Sequence, residues 1–173
     1  VKLLFLDVDG VLNAHEFHPD IMCGQIHRDK VELLNGILLS TGARIVLSSA
    51  WRYIVYRGEM NLMGMEWLLR SHGVLANRLV GITRRDTTVD RPPDWKGDLQ
   101  TWVKNDERGE QISDWLETCI GMTGFNCSGY VVIDDMDLGI SAAGHPFVQT
   151  DGSVGMRAEH AKKAVEILMG VSK

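Results

Sequence analysis

One stretch constrains this chain more than any other. Leu3-Leu4-Phe5-Leu6 is an unbroken apolar run, followed at once by Asp7-Val8-Asp9-Gly10-Val11-Leu12-Asn13. Four apolar residues are too few for a helix, and a run without polar alternation reads as a strand buried on both faces, as in a parallel sheet. Asp7 then falls at the carboxyl end of that strand, where open α/β sheets place their ligands. Asp9 lies on the turn beyond and can aim at the same space. Gly10 permits a sharp turn and a close approach of backbone. The plain alternative is a strand and turn whose aspartates cap a helix.

The rest of the chain repeats the pattern. A helix is expected from Asp29 to a stop at Gly42, with Val31, Leu34 and Leu38 on one stripe, leading into the strand Ala43–Leu47. A second helix is expected over Met60–His72, then a short strand Leu79–Ile82. A third helix, Asp106–Thr118, turns Ile112, Trp115, Leu116 and Cys119 inward, and Tyr130–Ile133 reads as a fourth strand. Pro146–Thr150 reads as an edge strand with its proline at the start, and Met156–Met169 as a closing helix. Five strands alternating with helices predict a doubly wound, mainly parallel α/β sheet. At 173 residues the economical expectation is one domain over residues 1–173, with a flap near 14–28 and a long loop near 83–105. In that loop Trp95 and Trp102 offer a stacking surface, while its charges nearly balance.

Composition narrows the function classes. A net charge of −5 argues against a nucleic-acid coat or a polybasic membrane surface, and no apolar stretch is long enough to span a bilayer. Cys23, Cys119 and Cys127 form no paired framework, which favours a reducing, cytoplasmic setting. The six histidines show no metal-ligand spacing. Oligomeric state is not readable.

Chemistry gathers at the strand ends. The second strand runs into Ser48-Ser49-Ala50-Trp51-Arg52. Hydroxyls beside free backbone N–H groups suit a phosphate oxygen, and Arg52 can add a planar fork. Alternatively the serines cap a helix and Trp51 is core. Arg108, in the first turn of the third helix, lies on its sheet-facing side and reaches toward the space above Asp7. The fourth strand closes in Asp134-Asp135, adjacent carboxylates that need a cation or protons to relieve them. If these ends meet, the oxygens of Asp7, Asp9, Asp134 and Asp135 form a hard-cation site suited to Mg²⁺. Ser48, Ser49, Arg52 and Arg108 then face a phosphoryl group, with a carboxylate free to attack phosphorus.

These residues resemble the four motifs of the haloacid dehalogenase superfamily of phosphohydrolases: Asp7-Val8-Asp9-Gly10-Val11, Ser48, Arg108 and Asp134-Asp135. The resemblance implies a Rossmann-like fold and Asp7 as a nucleophile forming an aspartyl-phosphate; the expected strands and helices leave little chain for a cap, so the cap is expected to be minimal and the site open. The resemblance makes Asp9 a general acid and base whose backbone carbonyl also binds metal. Ser48 would hold the phosphoryl group, Arg108 would stand where the superfamily has Lys or Arg, and Asp135 would be the main second metal ligand, assisted by Asp134. More narrowly, Leu47–Arg52, Ile133-Asp134-Asp135 and Gln149-Thr150-Asp151-Gly152 resemble the haloacid-dehalogenase domains of Swiss Army Knife RNA repair proteins. There is no Gly-x-x-x-x-Gly-Lys loop, so an RNA-end role would need separate partners. The expected activity is a Mg²⁺-dependent phosphatase with an open site, acting on a phosphorylated small molecule or nucleic-acid end. A phosphotransferase or mutase on the same site, a phospho-receiver and a non-enzymatic binding module remain the alternatives.

Overall fold

The computed structural model describes residues 1–14, 25–83, 107–123 and 126–171. Most of the expected flap, and the long loop with Trp95 and Trp102, lie outside the described residues. Five strands form one parallel sheet: β1 (Lys2–Leu6), β2 (Arg44–Leu47), β3 (Leu79–Ile82), β4 (Gly129–Asp134) and β5 (Phe147–Gln149). Their order is β3-β2-β1-β4-β5. The chain winds outward from β1 in one direction, then returns to β1's other side. That reversal beside β1 is the topological switch point, where such sheets open a crevice at the carboxyl ends of their strands.

The apolar runs bury both faces, as their lack of alternation requires. Leu4 and Leu6 join Ile45, Leu47, Val131 and Ile133 in the larger core cluster. This face is covered by α1 (Arg28–Thr41), α3 (Leu62–Ser71) and α5 (Ala158–Leu168), through Leu34, Leu38, Met65, Leu69, Ala164 and Leu168. Leu3 and Phe5 point the other way, with Val46 and Val132, against Ile112 of α4 (Arg108–Thr123). There Phe5 meets Trp115 edge-on at 5.5 Å between ring centroids.

The helices end where local chemistry stops them. Gly42 takes φ +70° and returns its N–H to the Leu38 carbonyl, closing α1. Asn61 caps α3 by accepting from the Gly64 N–H. Several bounds differ from the sequence expectation. The third expected helix runs on to Thr123, β4 starts one residue earlier because Gly129 pairs with Lys2, and β5 is trimmed to three residues. A short helix, α2 (Arg52–Tyr56), was not expected, since five residues cannot display a period. Among the described residues no helix is long and apolar enough to cross a membrane.

Candidate functional site

The register of the sheet assembles the site. Leu6 is level with Leu47 on one side and with Ile133 on the other. The next residue of each strand run, Asp7, Ser48 and Asp134, therefore emerges at the same edge. The ladder continues past the strands: Asp7 N–H donates to the Ile133 carbonyl at 3.0 Å, and Ser48 N–H to that of Leu6 at 2.8 Å.

Three carboxylates converge there. Ligand oxygens of Asp7, Asp134 and Asp135 lie within 4.8 Å of one another. Arg108 enters from the start of α4. Its Nη1 stands 3.0 Å from Asp7 Oδ2 and is hydrogen-bonded to Asp134 Oδ2. Asp7, Arg108 and Asp134 are only 4 %, 2 % and 0 % exposed, so the charges meet out of water, where pairing matters most. Gly109 makes this entry possible, because a Cβ there would collide with the Gly139 carbonyl.

Burial is the leading influence on both buried acids and pushes each carboxyl upward. For Asp7 the Arg108 guanidinium and the Ser49 hydroxyl pull the other way. Asp134 is driven well above the ordinary carboxylate range; Arg108 and the Met136 N–H oppose the shift, and the nearby Asp7 adds to it. With all three ionised, three carboxylates against one guanidinium leave two negative charges on hard oxygen donors. That donor set fits a divalent cation of the Mg²⁺ kind.

Gly10 brings the turn after β1 against this group. Its φ is +74°, and a Cβ there would lie 2.6 Å from Asp135 Cγ. Asp9, half-buried, directs its carboxylate to other partners: Oδ1 accepts from Asn13 Nδ2 and Oδ2 from Trp51 Nε1, both at 2.9 Å.

Ser48 and Ser49 are fully buried. Ser48 Oγ has no hydrogen-bond partner among the described residues, which leaves a hydroxyl in a polar site for a ligand to satisfy. Ser49 faces Asp7. Arg52, expected as a fork for an anion, is fully buried and engaged with protein groups. Its Nη1 donates to the Ser49 carbonyl and its Nη2 to Gln111 Oε1, each at 2.9 Å. It braces the serine loop and ties that loop to α4. The structure thus brings together Asp7, Asp134, Asp135, Arg108 and Ser49; it sets Asp9 on the turn beyond β1, near enough to add to the upward push on Asp7, with its carboxylate oxygens engaged by Asn13 and Trp51.

Sequence reasoning gave no role to Asn13, Gln111 or Thr150, or to the Trp51 N–H. Thr150 Oγ1 donates to the Gly10 carbonyl at 2.8 Å, across 140 positions of chain. Asn13 alone carried a local signal, as a buriable amide at the end of the first motif.

Residues 3–161 match the family described as "HAD domain in Swiss Army Knife RNA repair proteins". No match is found among curated proteins.

Proposed function

The chain belongs to this HAD domain family, and from that premise we propose that it is a Mg²⁺-dependent phosphatase working through an aspartyl-phosphate. The observation that carries the reading is the buried Asp7–Arg108–Asp134 bridge beside Asp135 at the switch point of the sheet. A Mg²⁺ ion there, held by Asp7, Asp134, Asp135 and the Asp9 carbonyl, would neutralise charge on the phosphoryl oxygens.

The chain's own residues do the rest. Arg108 opposes the upward push of burial on Asp7 and so favours the carboxylate that attacks phosphorus. As the Asp7 O–P bond forms, the ester P–O bond breaks and the leaving oxygen takes a proton from Asp9. The Ser48 Oγ–H donates a hydrogen bond to a phosphoryl oxygen. In the second half a water attacks the aspartyl-phosphate and Asp9 takes its proton. The bond to Asp7 then breaks, releasing inorganic phosphate and restoring the carboxylate. The substrate class is a phosphomonoester, with a nucleotide or a phosphorylated nucleic-acid end favoured by the family's description. The sparse cysteines support a reducing, cytoplasmic setting.

The test is phosphate release from p-nitrophenyl phosphate, a nucleoside 5′-monophosphate and 5′- and 3′-phosphorylated oligonucleotides, with Mg²⁺ or chelator, in isotopically labelled water. Hydrolysis that needs Mg²⁺, puts label in the phosphate and disappears in Asp7→Asn is expected. Full activity in Asp7→Asn would refute the nucleophile, and a phosphorylated acceptor formed in place of labelled inorganic phosphate would redirect the reading to a phosphotransferase.

A further inference from the structure

Asp9 is gripped by two side chains that stand outside the acidic trio. Each oxygen of its carboxylate accepts one N–H at 2.9 Å: Oδ2 from the Trp51 indole, 42 positions away, and Oδ1 from the Asn13 amide. Both anchors are themselves fixed. Trp51 is 4 % exposed and packs in the larger core cluster. Asn13 is 2 % exposed, and its own Oδ1 accepts from the Gly10 N–H at 2.8 Å. The turn they hold is braced from behind, by Thr150 on the Gly10 carbonyl and by the Met156 N–H on the Val11 carbonyl, both at 2.8 Å.

We infer that Trp51 and Asn13 are positioning residues for Asp9, fixing the plane of its carboxylate toward the leaving oxygen. The inference rests on the reading of Asp9 as the acid and base. A short aspartate side chain in a half-open site has more than one staggered rotamer, and proton transfer tolerates little misplacement. Two opposed N–H bonds remove that freedom. Neither anchor competes for the proton, because an indole N–H and an amide N–H only donate. The clamp therefore holds geometry through both halves of the cycle without becoming a proton sink. Core packing alone explains the Trp51 ring but not the direction of its N–H.

Trp51→Phe keeps an aromatic ring and deletes the donor. The readout is kcat/KM, which covers steps only up to departure of the first product, for two substrates. The alkoxide of a nucleoside 5′-monophosphate needs a proton to leave, whereas p-nitrophenolate does not. The variant is expected to lose about tenfold or more on the nucleotide and about threefold or less on the aryl ester. A merely structural role moves both equally, so equal losses, or none, overturn the inference. Asp9→Ala is run beside it: the same bias at larger size is expected. Asp9→Ala without effect on either substrate removes the reading of Asp9 itself, whereas a strong Asp9→Ala effect with an inert Trp51→Phe removes only the clamp. Should Trp51→Phe fail to fold, the indole N–H resonances decide. One of the five tryptophan signals is expected to move in Asp9→Ala, and an unchanged indole region refutes the contact.

Discussion

Arg108→Met is the most informative substitution in this protein. Methionine keeps much of the stem and packing of the arginine but leaves Asp7 and Asp134 facing one another without the cation that bridges them. Removing one partner of a buried ion pair costs about 3–5 kcal/mol, because the remaining charge is stranded. An unfolding entropy of about 2.1 cal/mol/K per residue over a chain of 173 residues comes to about 0.36 kcal/mol/K, so the melting temperature should fall by about 8–14 °C. The loss depends on protonation. The carboxyls of Asp7 and Asp134 are already pushed upward by burial, and without the guanidinium they rise further. As pH falls toward those raised values they take up protons in the folded state and recover part of the deficit; as pH rises they are left as stranded charges. Thermal unfolding by circular dichroism in chelator, compared at pH 5 and pH 8, should show the larger drop at pH 8, and Mg²⁺ in place of the chelator should give a partial rescue. A fall under about 3 °C, or an equal fall at both pH values, would mean that the bridge is not holding buried charge, and the electrostatic account of the site would collapse.

Two further outcomes follow from the same geometry. Gly10→Ala forces a side chain into φ +74° and against Asp135 Cγ; it should lower stability by about 1–3 kcal/mol and blunt the rise in melting temperature on Mg²⁺ addition, whereas an unchanged Mg²⁺ response would separate Gly10 from the acidic group. Asp134 titrates above its unfolded value near 3.8, so its favourable contribution is complete below that pH and is lost as pH rises through the folded value. In chelator, the melting temperature of the parent relative to Asp134→Asn should therefore decline from about pH 3.8 upward; a gap that widens with pH has the wrong sign and rejects the assignment.

The parts of this fold that were legible in the sequence share a cause. Leu3–Leu6, Ile45–Leu47 and Val131–Ile133 must be buried on both faces, and burial on both faces in short runs leaves only a parallel sheet with helices on either side. Once that is granted, the residue after each run is at the edge, and Asp7, Ser48 and Asp134 meet there. Arg108 was legible for the same reason, as a helix-start residue on a sheet-facing stripe. Arg52 was not. A charged residue beside two serines reads as a ligand for an anion, and nothing local reports that its partner is Gln111, 59 positions on. The Trp51–Asp9 contact was hidden in the same way, because an apolar ring announces burial but not the heading of its one N–H. Short α2 escaped since helical periodicity needs more than one turn to appear.

The stretch from Thr150 to Met156 carries no reacting group, yet it dovetails into the turn below Asp9. Gly155 sits so near the Asn13 carbonyl that a Cβ would lie 2.6 Å from it. The turn beneath the acid is therefore complete only where the residues after β5 lie packed over it. A molecule frayed beyond β4 would keep Asp7, Asp9 and Asp134 in its sequence while losing the contacts that back the Asp9 turn.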